Sequence, residues 1–266
     1  MSDKISVVIT TYKRDSLFKE CLNSVLAQSK RPLEIIIVNN YSKPIKIIKN
    51  KDIIKLCNLP NNMHVAYGRN IGASLAKGDY VAFLDDDDLW PKSYLENSQI
   101  FIKKYSPKII LSKIYVKNNL RFELFKDPSN LTLTDILLKN PGIIGSNIII
   151  SKKTFIKLKG YDNSLIPSED KSICIEAILK KIKIYFQDNY IIYRNQGSDQ
   201  ISKDFKLLYF GTKNFYNKYK SLMSLKIKIY CLQKMYLNKF KTGKYFSIFF
   251  IIFFRILISI IILFKL

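Results

Sequence analysis

The run Ile5 to Thr11 (ISVVITT) is β-branched and apolar without alternation, which predicts a strand buried on both faces. Phe18, Cys21, Leu22, Val25 and Leu26 then recur at helical spacing, with Asp15 or Ser16 placed to cap the helix they predict. Pro32 closes the connection, and Leu33 to Val38 (LEIIIV) reads as a second buried strand. A strand, a helix and a strand in this order predict parallel pairing through a right-handed crossover. Asn58 to Asn62 is turn-rich, Ala66 to Lys77 predicts a helix, and Gly78 stands where a left-handed C-terminal cap is wanted. Tyr80 to Leu84 (YVAFL) is the third strong strand. It runs directly into Asp85-Asp86-Asp87-Asp88, and Trp90-Pro91 opens a helix to about Tyr105.

Alternating strands and helices over the first hundred residues predict an α/β sheet. Further strands are expected at Lys108–Val116, Gly145–Ile150, Lys183–Phe186 and Tyr190–Tyr193, and helices at Thr132–Lys139, Lys152–Leu158 and Ser168–Lys180. From about Phe205 the texture changes. Tyr209 to Phe240 interleaves aromatic and aliphatic residues with Lys, the pattern of basic amphipathic helices. Tyr245 to Phe264 is apolar apart from Ser247, Arg255 and Ser259. The chain is therefore expected to divide into a sheet-bearing part, 1–204, and a basic and apolar helical extension, 205–266. The apolar run matches a bilayer span in length, but its central Arg255 costs about 2.5–3.5 kcal/mol on insertion scales. A span, a helix lying in the membrane interface and a packed C-terminal helix all remain open.

Composition narrows the partners. With 266 residues, 48% of them apolar, the chain can bury a core and is not a disordered protein. The formal charge of +23 suits nucleic acid, an anionic membrane surface or phosphorylated substrates. Thirteen Lys and Arg against a single acid, Asp204, fall in residues 201–266, away from the aspartate run. Cys21, Cys57, Cys174 and Cys231 are widely spaced with no C-x-x-C pair, which predicts free thiols in a reducing compartment. Met1-Ser2-Asp3-Lys4 leads straight into a strand, with no signal-peptide pattern, so a cytoplasmic location is expected for the active part.

Ligands of open α/β sheets bind outside the carboxyl ends of strands, where the four aspartates lie. Consecutive carboxylates repel one another unless paired, and a divalent cation is the simplest partner. Oxygen-only ligands select Mg²⁺ or Mn²⁺, which complete their shells with substrate phosphates. A solvated loop is the rival reading. A calcium loop fails, because Leu89 and Trp90 occupy its fifth and sixth positions and a strand precedes it. Ser168-Glu169-Asp170, taken alone, reads as an acidic helix start.

Three blocks in order change the weighting: ISVVITTYKR (Ile5 to Arg14), EIIIVNNYS (Glu34 to Ser42) and GRNIGASLAKGDYVAFLDDDDLW (Gly68 to Trp90). Together they resemble the family 2 glycosyltransferases of the GT-A fold, whose blocks read strand-P-T-Y-N-R, strand-V-D-D-G-S, then A-R-N-x-G followed by G-x-Y-I/V-x-F-L-D-x-D-D. The resemblance covers roughly residues 5–200. It implies a Rossmann-like nucleotide-binding fold with a mostly parallel central sheet flanked by helices. It also implies roles. Thr10 and Tyr12 line the nucleotide base pocket, with Tyr12 stacking on the base, and Thr11 and Arg14 join the nucleotide-sugar set. Arg69 approaches the diphosphate, Asp85 the ribose, and Asp86 stands between the two signature acids. Asp87 ligates Mn²⁺ or Mg²⁺, and Asp88 orients its neighbours. A later block, here Lys159-Gly160-Tyr161-Asp162 running on to Glu169-Asp170, makes Asp170 the general base of an inverting displacement.

Two departures bear on the donor and the metal. Asn39-Asn40 replaces the usual acidic pair; Asn39 can still pair with uracil, so UDP is the expected nucleotide. Tyr193-Arg194-Asn195-Gln196 stands where Y-R-x-H is common, leaving Gln196 as a weaker candidate metal ligand, while His64 is a bystander. The expected function is transfer from a nucleotide-sugar to a glycan or lipid-linked acceptor of bacterial surface polysaccharide or lipooligosaccharide. The basic C-terminal region would hold the protein to an anionic membrane, at the inner face of the cell membrane, with no nucleic acid partner. Acceptor loops are expected between Lys117 and Gly145. The competing reading is a non-catalytic basic module for membrane or nucleic acid, against which four aspartates at a groove mouth argue. A degenerate transferase acting as a partner subunit is supported by Asn39, Asn40 and Gln196 alone.

Overall fold

The computed structural model describes residues 3–45, 52–60, 63–118, 121–193, 204–243 and 247–263. In chain order the elements are β1 (Ile5–Thr11), α1 (Asp15–Leu26), β2 (Glu34–Asn39), β3 (Ile54–Asn58), α2 (His64–Leu75), β4 (Tyr80–Asp85), α3 (Tyr94–Tyr105), β5 (Ile109–Asn118), β6 (Arg121–Lys126) and α4 (Leu133–Leu138). They continue with β7 (Ile148–Ser151), α5 (Lys152–Lys157), α6 (Glu169–Leu179), β8 (Ile184–Tyr193), α7 (Phe205–Tyr219), α8 (Leu225–Lys241) and α9 (Ser247–Leu263). Eight strands make one sheet in the order β3-β2-β1-β4-β7-β5-β6, with β8 added on β5. The half that holds β3, β2, β1 and β4 is parallel throughout. β7 runs antiparallel to β4 and to β5, and β6 antiparallel to β5, while β8 returns parallel to β5.

All residues of β1 and β2 are buried, because helices cover both faces of the parallel half. Alternate side chains divide between two cores. Val8, Ile36, Val38, Val81 and Phe83 face one; Val7, Ile9, Ile35, Ile37 and Leu84 face the other. Each such side chain contributes about 1.5–3 kcal/mol of burial. Helix α1 turns Phe18, Cys21, Leu22 and Val25 inward, the stripe its spacing predicts. Its N-cap is Arg14, without a side-chain cap bond, instead of Asp15 or Ser16.

Gly78 serves a close approach and not a left-handed cap. Helix α2 ends at Leu75, and a Cβ on Gly78 would lie 2.7 Å from the Lys4 carbonyl oxygen and 2.7 Å from the Ser6 nitrogen. The one acid of β2, Glu34, explains the tightness here. Its carboxylate accepts from Ser6 Oγ at 2.8 Å and from the Lys77 N–H, and pairs with Lys55. Ser6 Oγ in turn accepts the Gly78 N–H at 2.8 Å. Gly78→Ala is expected to destabilise the fold by about 1–3 kcal/mol through overpacking against backbone, read as a lower urea midpoint at unchanged m.

Several elements differ from expectation. The expected strands 183–186 and 190–193 are one strand, β8, with a register shift where it passes Ser112 and Lys113. Gly145–Asn147 is a single 3₁₀ turn before β7. β3 and β6 were not anticipated. The C-terminal boundary at 204/205 does not divide the packing: Phe215 and Tyr219 of α7, Met223, and Ile227 and Cys231 of α8 lie in the same core as Val8 and Phe83. Helix α9 packs on α8 through a narrow stripe. Ile251 is buried and Phe250 stacks on Tyr236 with centroids 4.4 Å apart, while Ile248, Phe249, Ile252, Phe253 and Ile256 are exposed. Among the described residues, no helix is long and apolar enough to cross a membrane.

Candidate active site

The chain leaves β1 to build β2 and β3 on one side, then returns to place β4 on the other. The carboxyl ends of β1 and β4 therefore flank a switch point, the ligand crevice of open α/β sheets. Register brings Thr10 level with Asp85 and Thr11 level with Asn39. Beyond β1, Lys13 takes a left-handed backbone (φ 56°), a turn that carries Arg14 back over the aspartate run. Tyr12 meets Tyr41 edge-to-face at 5.6 Å, and the Lys13 ammonium lies 5.0 Å from each ring centroid.

The four aspartates have four different surroundings. Asp85 pairs with Arg69 at 2.6 Å. Asp86 turns inward, accepting the Tyr12 N–H at 3.1 Å and Arg14 at 3.0 Å, so it acts as a strut for the first block. Asp87 pairs with the same Arg14 nitrogen at 2.5 Å. Burial, with Asp85 and Asp86 alongside, raises the Asp87 carboxyl above the usual carboxylate range against the pull of Arg14. Asp88 is buried and accepts the Ser146 hydroxyl at 2.5 Å, while Ser146 Oγ accepts the Asp85 N–H at 3.0 Å. One serine thus clasps the first and last acids of the run. Trp90 holds that serine by donating its indole N–H to the Ser146 carbonyl at 3.2 Å.

Arg69 sits at the centre. From α2 its guanidinium reaches Asp85 at 2.6 Å, Asp170 at 2.9 Å and Glu169 at 3.2 Å. A Cβ on Gly145 would meet an Arg69 nitrogen at 2.2 Å, so only glycine leaves room for the guanidinium. The Gly145 N–H also bonds Asp170. Asn70 clamps the far wall: it donates to the Tyr161 carbonyl at 2.8 Å and accepts the Tyr161 N–H at 2.9 Å. Burial and the neighbouring Asp170 push Glu169 up to about 8. Burial also pushes Asp170 up, but Arg69 and Gly145 hold it to about 6. Both acids are pushed up by burial, and the adjoining Arg69 favours the charged form of Asp170.

The two arginines of the crevice differ in exposure. The Arg14 side chain is 19% exposed against 3% for Arg69, so Arg14 is the more accessible guanidinium of the crevice. Arg69 ties Asp85 to Asp170 and Glu169. Asn39 gives its amide protons to the Lys43 carbonyl and Asn58, and its oxygen accepts the Tyr41 N–H at 3.2 Å, which shapes the loop after β2. Gln196 lies outside the described residues. Among those described, no group of three or more acids, histidines or cysteines is set to hold a metal.

Residues 6–163 match the sequence profile of glycosyl transferase family 2. The chain belongs to glycosyltransferase family 2. It is 28% identical to an uncharacterized glycosyltransferase of Haemophilus influenzae over 65% of this chain and 62% of that protein. It is 26% identical to the glucosyl-dolichyl phosphate glucuronosyltransferase of Haloferax volcanii over 73% of this chain and 67% of that protein. It is 27% identical to WfaP of Escherichia coli, named UDP-Glc:alpha-D-GlcNAc-diphosphoundecaprenol beta-1,3-glucosyltransferase, over 67% and 72%. The chain thus spans about three fifths of the first of these relatives. Among solved structures, residues 1–349 of S. aureus TarS in complex with UDP-GlcNAc share the fold, with a TM-score of 0.64 at 19% identity over 88% of this chain and 81% of that one.

Within this family frame, Ser146 and Gly145 are the site residues that the sequence reading passed over, having placed them inside a strand. The signal was there: Gly-Ser-Asn interrupts an otherwise unbroken apolar run from Ile143 to Ile150.

Proposed function

We propose that the chain transfers a sugar from a UDP-sugar to a hydroxyl of a glycan or lipid-linked acceptor, inverting the anomeric carbon. The observation that carries this reading is the single Arg69 guanidinium joining Asp85 at 2.6 Å and Asp170 at 2.9 Å. A donor-side acid and a base are thereby held on either side of one crevice. The UDP-GlcNAc complex of TarS and the UDP-Glc donor in the name of WfaP support a uridine nucleotide. The diphosphoundecaprenol acceptor in the same name supports a lipid-linked acceptor.

The donor set suits a hard divalent cation. Asp87 offers a carboxylate whose charge its buried, acid-rich surroundings disfavour, and a cation relieves that. Mn²⁺ or Mg²⁺ would be held by Asp87 and the diphosphate oxygens, with Gln196 a further candidate. When bound, it supplies charge neutralisation at the leaving diphosphate. The protein does the rest: Tyr12 and Tyr41 bound the base position, Arg14 neutralises the diphosphate, and Asp170 takes the proton of the attacking hydroxyl. Residues 1–204 carry this chemistry in the proposal.

Helices α8 and α9 give the membrane contact. The exposed apolar face of α9 is larger than isolated surface residues account for, and basic residues flank it, the make-up of a helix lying in an anionic interface. The protein works, on this reading, at the inner face of the cell membrane on surface-polysaccharide or lipooligosaccharide precursors. A hydrolysis screen of nucleotide-sugars with Mn²⁺ tests the donor. UDP-sugars are expected to be cleaved, with the rate lost in EDTA. No turnover of any nucleotide-sugar, together with salt-dependent binding of single-stranded DNA, would favour the non-catalytic basic module instead.

A further inference from the structure

The segment from Asp162 to Ser168 carries the chain from the Tyr161 clamp to Glu169 and Asp170 at the start of α6. Its one regular piece is a 3₁₀ turn, Asn163–Leu165. Asp162 caps that turn, accepting the Ser164 N–H at 3.0 Å and the Ser164 hydroxyl at 2.6 Å. A single turn of this kind is a weak support for the two acids that follow it.

Helix α7 supplies the support. Gly211, Asn214, Phe215, Lys218 and Tyr219 follow helical spacing along one face of it. A Cβ on Gly211 would collide with the Ile166 carbonyl oxygen and lie 2.9 Å from Pro167 Cδ, so the helix lies directly on this backbone. Three residues on, Asn214 donates its amide to the Ser164 carbonyl at 2.8 Å. The Lys218 ammonium pairs with Asp162 at 2.9 Å and reaches Glu176 of α6 at 3.4 Å. Tyr219 donates to the same Glu176 at 2.9 Å, and its hydroxyl meets Ser172 Oγ at 2.6 Å. The contacts bracket the two acids: Gly211, Asn214 and Lys218 hold the chain before them, and Lys218 and Tyr219 hold the helix after them. Asp170 reaches Arg69 at 2.9 Å, so a small shift of this segment would open that contact.

We propose that α7 is the splint that sets the position of Asp170, with Gly211, Asn214 and Lys218 as positioning residues. The proposal rests on the reading of Asp170 as the base. It carries the catalytic unit past residue 204: the reacting groups lie within 1–204, but their placement depends on a helix outside that part and outside the 6–163 span of the family match.

The test compares Asn214→Ala/Lys218→Met with Lys213→Met/Asn217→Ala, which makes the same losses at exposed positions of the same helix. Amide hydrogen exchange of the full chain needs no substrate. The first variant is expected to speed exchange over 162–172 by on the order of tenfold, with β1 and β4 unchanged, and the second to leave both as in the parent. Parental exchange over 162–172 overturns the proposal. So does a rise spread evenly over the chain, which is a plain loss of stability. Kinetics give the second readout, as hydrolysis of UDP-glucose and UDP-GlcNAc with Mn²⁺. Misplacing the base should lower kcat by roughly 10–100-fold while KM and the calorimetric affinity for UDP stay within about twofold. Loss of UDP affinity in step with kcat, or an unaltered kcat, overturns the proposal. Lys218→Arg keeps the charge that pairs with Asp162 and is expected to retain most of the parental rate. Gly211→Ala drives a methyl group between α7 and Ile166 and should show the same split with no change of charge. Asp170→Asn separates the two readings. Full turnover there removes the base reading and the proposal with it, whereas loss of turnover there beside parental rates in the α7 variants removes the proposal alone.

Discussion

Asp170→Asn is expected to lower kcat for transfer by roughly 10²–10⁴-fold, the range that a positioned general base contributes, while the KM for the UDP-sugar changes little. The substitution is close to isosteric, and the amide oxygen can still accept from Arg69, so the melting temperature should stay near that of the parent. The pH profile gives a second signature. Burial holds the Asp170 carboxyl up at about 6, so its base form is lost as pH falls through that value. The parent rate should therefore decline about tenfold per pH unit below 6, and the Asn variant should lack that limb. Full activity in Asp170→Asn with a confirmed donor would remove Asp170 from the role of base. Glu169 would then be the alternative to test, although it holds its proton to about 8.

Arg69→Met should be the most damaging single substitution to stability. It leaves Asp85, Glu169 and Asp170 facing one another without the guanidinium they share, in a site where Arg69 and Glu169 are each 3% exposed. Breaking a buried ion pair from one side costs about 3–5 kcal/mol, which in a chain of this size lowers Tm by on the order of 10 °C. The sign of the pH dependence is diagnostic. The stranded carboxylates are neutralised by protons in acid, so the deficit relative to the parent should shrink between pH 7.5 and pH 5.5. A deficit that is flat across this range, measured by circular dichroism, would mean that the three acids do not depend on Arg69. Gly145→Ala approaches the same hub from the other side. Its Cβ would collide with the guanidinium, so it should lower activity together with stability.

The parallel half of the sheet was legible because strands covered on both faces are written as unbroken runs, as in Ile5–Thr11 and Tyr80–Leu84. β3 was not, because an edge strand is only half buried: Lys55 and Asn58 are exposed and interrupt its apolar residues. Gly145-Ser146-Asn147 was absorbed into β7 since the residues on both sides are apolar and β-branched, although the Gly-Ser-Asn interruption itself marks the break. The aspartate run was visible as a site, but the division of labour within it was not. Whether Asp86 faces the donor or braces Tyr12 and Arg14 depends on the turn at Lys13, a backbone choice that side-chain pattern does not encode. The difference in exposure between Arg14 and Arg69 is likewise a property of the assembled crevice.

The Arg69 bridge also acts as a gauge. Because one rigid, planar group touches both β4's end and α6's start, the spacing between Asp85 and Asp170 is set by the reach of a guanidinium. Segments between them that touch neither this bridge nor the core can vary without changing that spacing, whereas Gly145 and Ser146 cannot. Acceptor choice in such a scaffold can drift while the chemical step stands still. Grafting the 127–143 segment of a relative onto this chain is thus a route to a new acceptor with the old catalytic spacing intact.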